Sequence, residues 1–432
     1  MIEPVIVTAV LLGLIGAGAP IFLALGAAGL LGLYMARGSL AFFFAGTSFF
    51  GQLNGFELIA LPLFILMGNL LSATPVGANL FHAAALWLRW LRGGLAIATV
   101  GASAIFGAIS GVSVAGVAAV GSIAVPQMLK RGYARQLASG SVVSSGALAM
   151  LIPPSVPFII YGAVSGVSVA DLFIGGIVPG FALAFALSLY IWIRVRLNPE
   201  EAPVSDEAKG APLRERLRAL GGIWHALLLI FVVLGAIYSG VATPSEAAAF
   251  GAVGAFLIAA VIFRSLDVTK TLAILATSAR VSGAILLIIG AARIFGDYLN
   301  LIRLPETLTA MLVATEMPGW AILILIMVAL VLLGMLVDAV SLIVVTTPIL
   351  LPLIEALGYS PLWFGIILVM NLEIAVVTPP VGLNLYALRG VAPMLSVEEI
   401  IRSVVPFVLV QFAVLMLFVL YPPLSLWLPG LL

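Results

Sequence analysis

The sequence predicts an all-α polytopic membrane protein made of two inverted repeats, each with a re-entrant helical hairpin and a helix broken by a Pro-Pro pair. Of its 432 residues, 63% are hydrophobic and 9% are charged, and the mean hydropathy is +1.28, which is far too apolar for a soluble domain. Apolar runs of about twenty residues, the length of a bilayer-spanning helix, recur along the chain. The same series of landmarks then occurs twice.

The first repeat, residues 1–197, divides into six predicted elements. They are a span at about 4–36, helices at about 57–71 and 76–90, a hairpin at about 94–129, a broken helix at about 136–165 and a last helix at about 171–192. The segment 39–52 is apolar but short, so we interpret it as a helix lying along the membrane interface.

A polar linker at 198–220 separates the two repeats, and we expect it to be cytoplasmic. The second repeat, residues 221–432, again divides into six elements. They are helices at about 221–238, 244–263 and 271–299, a hairpin at about 320–357, a broken helix at about 361–388 and a last helix at about 406–428.

Two Pro-Pro pairs, Pro153–Pro154 and Pro379–Pro380, each lie in the middle of an apolar run. A proline removes a helical hydrogen bond and clashes with the preceding turn, so two in a row end a helix. Backbone groups freed at bilayer depth must be satisfied by protein, water or an ion, so each break should line a cavity. Ser110 precedes the first pair by 43 residues and Asp338 precedes the second by 41, which indicates an internal duplication.

Basic residues predict the orientation. If the N-terminus is outside, the basic positions between elements fall inside, in agreement with the positive-inside rule. This holds whether each hairpin is re-entrant or consists of two full spans. Each repeat has five helices that cross the membrane and one hairpin that enters and leaves on the same side. The number of crossings is therefore odd, and the second repeat starts on the opposite side of the membrane from the first. The basic residues are Arg37, Arg89, Arg92, Lys130, Arg131, Arg135, Arg194, Arg196, Arg264, Lys270, Arg389 and Arg402.

Short polar side chains gather at the predicted hairpin tips and helix breaks. Their oxygens, together with carbonyls freed at a break, can form a shell for a hard cation such as sodium, and half-helix N-termini suit anionic substrate groups. The alternative is that serine and glycine merely let helices approach closely. The symmetric placement beside both breaks favours the site. These residues are Ser110, Ser113, Ser155, Asp338, Ser341, Thr378 and Asn384.

Two carboxylates within apolar surroundings have more than one interpretation. Asp338 is expected to face a cavity or partner, to cap the N-terminus of the returning hairpin arm, or to do both. Glu373, six residues before Pro379, either braces the broken helix or contacts an ion, and the sequence does not choose between these roles.

Other charged residues have structural interpretations. Glu57 and Glu246 could form a proton relay, but each follows a capping-box pattern, Asn54–Glu57 and Thr243–Glu246, and we favour that role. Arg293 lies four residues before Asp297 on one predicted helix, which favours an ion pair.

Several function classes are disfavoured. The chain has no cysteine and only two histidines, which makes thiolate and histidine metal sites implausible. It also lacks an Asp-rich metal motif, a zinc motif or a Ser-His pair typical of an intramembrane enzyme. A net charge of +1 disfavours nucleic acid as a partner. Membrane lipid is the expected surrounding.

Ordered motifs along nearly the whole chain resemble the large membrane subunit of TRAP transporters, the DctM family. The motifs are Pro62–Asn69, Ile109–Ala115, Leu151–Pro157 with Ile160–Gly162, Leu172–Gly180, Pro244–Ala248 and Thr378–Leu385.

The resemblance implies a sodium-driven importer of organic acid anions in the bacterial or archaeal cytoplasmic membrane. It implies an elevator mechanism, in which hairpins and broken helices move against a scaffold, and membership of the ion transporter superfamily. Implied partners are a separate small four-helix membrane subunit and a periplasmic substrate-binding protein, with Na⁺ as coupling ion and no organic cofactor. A stand-alone anion exchanger or exporter of the same superfamily is the alternative.

The family's sodium sites map onto the tips and breaks of this chain. One set matches Ser110, Gly111 and Ser113 with Pro153, Pro154 and Ser155, and the other matches Asp338 and Ser341 with Thr378, Pro379, Pro380 and Gly382. Gly116 departs from the family pattern, because many relatives carry a polar or acidic residue there. The expected substrate contacts are Ser110, Ser155 and Asn384.

Overall fold

The computed structural model describes residues 2–203, 212–315 and 317–431, which form helices and turns without any strand. The first half contains α1 (Ile2–Gly16), α2 (Ile21–Arg37), α3 (Leu40–Leu53), α4 (Ala60–Ser72), α5 (Val76–Leu88), α6 (Gly94–Ser110), α7 (Ser113–Lys130), α8 (Arg135–Gly146), α9 (Val156–Ser165) and α10 (Val169–Leu197). The second half contains α11 (Leu213–Leu220), α12 (Trp224–Tyr238), α13 (Pro244–Leu257), α14 (Val268–Leu301), α15 (Leu304–Val313), α16 (Gly319–Gly334), α17 (Ala339–Ala356), α18 (Pro361–Val377), α19 (Leu383–Val391), α20 (Val397–Leu420) and α21 (Pro423–Leu426).

The all-α, polytopic character is confirmed. Among the described residues, six helices are long and apolar enough to cross a membrane, or up to eight if each of two bent pairs forms one span. One bent pair joins α3 to the segment Phe56–Ser72 at 60°, and the other joins α11 to α12 at 53°. The apolar segment expected at the interface, residues 39–52, is therefore a helix that turns sharply into α4.

The N-terminal run contains two helices, so the single span expected at 4–36 is wrong. Gly18 has a φ of 78°, a conformation that side chains disfavour, and Pro20 caps the start of α2. The short helix α15 was not predicted either. It starts after Arg303, whose φ of 53° lies in the left-handed region and separates α15 from the end of α14.

The segment expected as a polar linker, 198–220, has local structure at both ends. A short 3-10 turn, Pro199–Glu201, is attached to α10 because Glu201 forms a 2.6 Å ion pair with Arg194. The amide of Ala134 donates to the Glu201 carbonyl at 2.8 Å. Helix α11 follows at the other end, and residues 204–211 lie outside the described part of the chain.

Each half contains a helix pair at the position of the expected hairpin and an interrupted helix at the position of the expected break. The pairs are α6 with α7 and α16 with α17, and the interrupted helices are α8 with α9 and α18 with α19. A 3-10 turn, Ala147–Met150, precedes the first break. Both Pro-Pro peptide bonds are cis.

The packing of these elements follows a matching pattern in the two halves. The outgoing arms α6 and α16 contact the first parts of their own interrupted helices, α8 and α18. The returning arms α7 and α17 contact the second parts of the other half's interrupted helices, α19 and α9. The final helices α10 and α20 also cross over, to α18 and α8 respectively. The two halves are therefore interlocked around the breaks.

Glycine permits the closest of these contacts. A Cβ on Gly107 of α6 would lie 2.6 Å from the Cα of Ala149, beside the first break. A Cβ on Gly121 of α7 would lie 2.9 Å from Leu388 Cδ1 of α19. In contrast, a Cβ on Gly101, on the same helix as Gly107, would meet no atom within 4 Å. Close packing of α6 therefore depends on one glycine and not on the other.

We expect Gly107→Ala to destabilise the protein by about 1–3 kcal/mol, because the added methyl must displace backbone next to the break. Gly101→Ala is the matched control on the same helix, and it should be neutral or slightly stabilising because alanine favours helix. The check is the thermal unfolding midpoint of each purified variant in detergent. Equal midpoints for the two variants would contradict the close approach of α6 to the break.

Candidate ion and substrate site

The first hairpin tip lies directly against the first Pro-Pro break. Gly111 ends α6 with a φ of 62°, and a Cβ there would lie 3.2 Å from the carbonyl oxygen of Pro154. On the other side of the tip, a Cβ on Gly68 of α4 would lie 2.9 Å from the Cα of Ser110. The tip is therefore seated between α4 and the break, where its backbone and that of the break face one another.

Three buried hydroxyls accompany this contact. Ser110 ends α6, Ser113 begins α7 and Ser155 precedes α9. The Ser110 hydroxyl is 3.5 Å from the carbonyl oxygen of Val112, and the Ser155 hydroxyl donates to the carbonyl of Met150. The structure thus places the tip residues Ser110, Gly111 and Ser113 beside the break residues Pro153, Pro154 and Ser155, the six residues that the resemblance implies for the first sodium site.

The second tip is organised by Asp338. The Ser341 amide donates to its Oδ1 at 3.0 Å, and the Ser341 hydroxyl donates to its Oδ2 at 2.5 Å. Asp338 is the N-cap residue of α17, so the capping interpretation is confirmed.

The second break turns tightly on itself. The Thr378 hydroxyl donates to the carbonyl of Ile374 at 2.5 Å, and Gly382, with a φ of 41°, starts α19. A Cβ on Gly382 would lie 3.0 Å from the Thr378 carbonyl oxygen. No hydrogen bond among the described residues joins Asp338 or Ser341 to this break. The second set of predicted ligands is thus divided between two local clusters.

Asn384 and Glu373 flank the second break and are buried without hydrogen-bond partners. Asn384 is 0% exposed, and both polar atoms of its amide are unpartnered. Glu373 is 1% exposed, and neither carboxyl oxygen has a partner. A buried polar group without a hydrogen bond costs about 1–3 kcal/mol, and an ionised one costs more. The Asn384 amide is therefore suited to a ligand or a cation, and the Glu373 carboxyl to a cation or a proton. Asn384 forms no bond to Ser110 or Ser155, its companions in the predicted substrate site.

Two hydrogen bonds that the sequence did not predict hold the outgoing hairpin arms to the interrupted helices. The Ser145 hydroxyl on α8 donates to the Ser103 hydroxyl on α6 at 3.1 Å. The Asn371 amide on α18 donates to the Met327 carbonyl on α16 at 3.0 Å. Ser145 and Asn371 each lie eight residues before the first proline of their break. This equal spacing from the two breaks is the feature of the sequence from which the two equivalent hydrogen bonds could have been predicted.

The remaining charged residues mostly behave as expected. Thr243 and Glu246 form a complete capping box, which confirms that prediction. The box expected at Asn54–Glu57 is wrong, because Asn54 ends α3 and makes no side-chain cap for the following turn. Arg293 and Asp297 form the expected ion pair at 3.1 Å, and both line a small cavity that α17 closes through Val344 and Pro348.

Residues 8–424 match the family model described as the tripartite ATP-independent periplasmic transporter, DctM component. The chain belongs to this family. Its relatives are transporter permeases rather than enzymes, which confirms that expectation.

Curated DctM relatives extend over the whole chain. It is 34% identical to the C4-dicarboxylate TRAP transporter large permease protein DctM of Vibrio cholerae, covering 98% of this chain and 96% of the relative. It is 30% identical to the ectoine TRAP transporter large permease protein TeaC of Halomonas elongata, covering 99% of each. It is 35% identical to the isethionate TRAP transporter permease protein DctMQ of Oleidesulfovibrio alaskensis, covering 96% of this chain but 64% of that longer protein.

Two solved transporters share the fold. The Alcanivorax borkumensis YdaH transporter superposes with a TM-score of 0.63 at 16% identity, covering 90% of this chain and 89% of that one. The Neisseria gonorrhoeae protein MtrF, from a class of antimetabolite efflux pumps, superposes with a TM-score of 0.58 at 16% identity, covering 89% and 85%. At this identity the comparison concerns the fold alone.

We expect Asp338→Ala to lower the free energy of unfolding by about 0.5–2 kcal/mol, because α17 loses its N-cap acceptor. Asp338→Asn keeps an oxygen for the Ser341 amide and should retain most of the stability. Thermal or denaturant unfolding in detergent measures both variants. If the alanine variant unfolded like the wild type, the cap would not stabilise the second tip.

Proposed function

We propose that the chain is the transport subunit of a tripartite, sodium-coupled importer of organic acid anions, carboxylates or similar molecules, which a periplasmic binding protein delivers. The observation that carries this proposal is the match to the DctM family over residues 8–424, combined with a hairpin tip packed against a helix break. The named relatives carry C4-dicarboxylates, isethionate and ectoine, which supports a small acidic or zwitterionic substrate.

Sodium is the coupling ion in this proposal, and oxygen ligands at the two breaks support it. Sodium, like other hard cations, prefers carboxylate, hydroxyl and carbonyl oxygens. The first tip and break supply Ser110, Ser113 and Ser155 together with carbonyl oxygens such as that of Pro154. The second supplies Asp338, Ser341 and Thr378 from two neighbouring clusters. A motion that brings those two clusters together would complete the set of oxygen ligands at the second sodium site.

The proposed architecture has two inverted repeats that move as an elevator. The matching contacts of α6 with α8 and α16 with α18, and the exchange of α7 and α17 between halves, support equivalent repeats. The equally spaced bonds of Ser145 and Asn371 support the same correspondence. In this architecture the N-terminus is outside, the 198–220 linker is cytoplasmic, and the substrate contacts Ser110, Ser155 and Asn384 between the breaks.

The stand-alone exchanger or exporter is the second candidate. The fold shared with an efflux-pump protein is compatible with it, but that comparison has only 16% identity. The curated relatives of known substrate, at 30–35% identity, are named as TRAP permeases, which favours the tripartite importer.

Ser113→Ala and Thr378→Ala should each raise the sodium concentration that gives half-maximal uptake by about two- to tenfold, the effect of losing one polar contact. The control is Ser122→Ala, because this exposed serine on α7 bonds only its own helix, at the Ala119 carbonyl. Uptake is measured in proteoliposomes containing the complete transporter, after normalising for reconstituted protein. If the sodium dependence of uptake were unchanged in both test variants, Ser113 and Thr378 would not be sodium ligands.

Uptake should require the cognate binding protein and the small membrane subunit. The candidate partners are the products of neighbouring reading frames, and the binding protein's substrate is found by melting-temperature shifts with a panel of organic acids. Proteoliposomes are then prepared with each component omitted in turn. Full uptake by this chain alone would support the stand-alone exchanger and refute the tripartite assignment.

A further inference from the structure

A basic cavity lies at the base of the first helix pair, far along α6 and α7 from the tip. It has a volume of about 90 Å³, which is room for several water molecules. The end of α5, the start of α6 and the end of α7 surround it, and Ala202 and Pro203 border it from the start of the linker. The cavity is thus the size of a small polar group and is separate from the proposed ion sites.

Positive charge dominates this cavity. Three arginines line it, Arg89, Arg92 and Arg131, and none of the lining residues that the structure describes is acidic. The Nε atom of Arg89 is buried without a hydrogen-bond partner. Arg131 already has partners, among them the side chain of Gln127, to which it donates at 3.3 Å. Arg89 and Arg92 border the same cavity and repel one another, most strongly where burial lowers the effective dielectric constant, so a bound anion would stabilise these two arginines.

The start of α6 borders the cavity, but most of its first amide groups already have acceptors. The Gly94 amide donates to the Leu91 carbonyl at 3.0 Å, and the Ile97 amide donates to the Gly93 carbonyl at 3.1 Å. The helix dipole still favours an anion at this end. The Leu95 amide donates to the Tyr133 hydroxyl at 3.4 Å. Burial raises the pKa of the Tyr133 phenol, so this hydroxyl keeps its proton and can donate it to an anion.

The cavity lies at the level expected for lipid headgroups. Trp87 and Trp90, at the end of α5, are exposed, and tryptophan is enriched where the hydrocarbon region meets the headgroups. The guanidinium of Arg216 lies 5.9 Å from the ring centre of Trp87, at the same end of α5. Basic pockets between helices at this level are typical sites for anionic headgroups.

We propose that this cavity binds the phosphate of an anionic phospholipid headgroup, held by Arg89, Arg92 and Tyr133 at the start of α6. The lipid would join the two ends of the first helix pair to α5. It would also contact the start of the linker, where a Cβ on Gly132 would lie 3.4 Å from Pro203. This site differs from the proposed sodium and substrate sites in both place and ligand, and it does not depend on transport being sodium-coupled.

The test is a titration of phosphatidylglycerol into the purified full-length chain in neutral detergent, with thermal unfolding as the readout and native mass spectrometry to count bound lipid. The test variant is R89Q/R92Q. The matched control is Lys130→Gln, which removes one charge from an exposed residue that adjoins Arg131 but does not line the cavity. Arms with phosphatidylcholine and with inorganic phosphate separate an anionic lipid from a neutral lipid and from a free anion.

Phosphatidylglycerol should raise the melting temperature of the wild type and of Lys130→Gln, and R89Q/R92Q should need at least about tenfold more lipid for the same shift. Equal responses of all three proteins would overturn the site. An equal shift with inorganic phosphate would replace the lipid by a free anion, and an equal shift with phosphatidylcholine would remove the role of lipid charge. If the double variant does not fold, Arg92→Gln is used, because Arg92 is exposed and its loss creates no buried gap.

Discussion

The structure depends on one constraint, which is that backbone N–H and C=O groups must be satisfied inside a membrane. Two Pro-Pro pairs remove helical hydrogen bonds in the middle of buried helices, so the surrounding elements must enclose the freed groups. At the first break, the tip between α6 and α7 lies against the Pro154 carbonyl, and Ser155 bonds back to Met150. At the second break, Thr378 bonds back to Ile374. Residues 153–155 of the first break are buried, whereas Pro380 and Val381 of the second are exposed, so by the same constraint that surface must face water or protein and not lipid.

The same constraint connects packing to the proposed function. Elements that enclose a break also create a polar interior that lipid cannot reach, and this is where an ion or an anionic substrate can replace water. Around the second break, Asn384 and Glu373 remain buried without partners. Buried polar groups without partners in a packed interior can form hydrogen bonds to a ligand that enters it. We interpret Asn384 as a position that is satisfied when an ion or substrate is bound, and Glu373 as one that is satisfied by an ion or a proton.

Much of the fold could be predicted because its main signals are local. A Pro-Pro pair in an apolar run ends a helix, although single prolines such as Pro126 and Pro179 lie inside helices, so the two breaks were evident. The cap at Asp338 follows from a carboxylate at the start of an apolar helix. The errors arose where a local signal was weak or competed with another. The apolar run at 4–36 was predicted as one span from its hydropathy, but Gly18 and Pro20 separate it into two helices. Asn54 was predicted to cap the following turn, but it ends α3. The exchange of α7 and α17 between halves could not be predicted, because it depends on contacts far apart in the sequence.

The most direct test of the account is the number of sodium ions that the purified chain binds at equilibrium, measured with radioactive sodium against a potassium background. The account predicts saturable binding at two sites, one lost in a variant altered at Ser110 and Ser113 and the other lost in a variant altered at Asp338 and Thr378. Retention of full sodium binding in both variants, or equally strong binding of potassium, would contradict the claim that the two breaks hold the coupling ions.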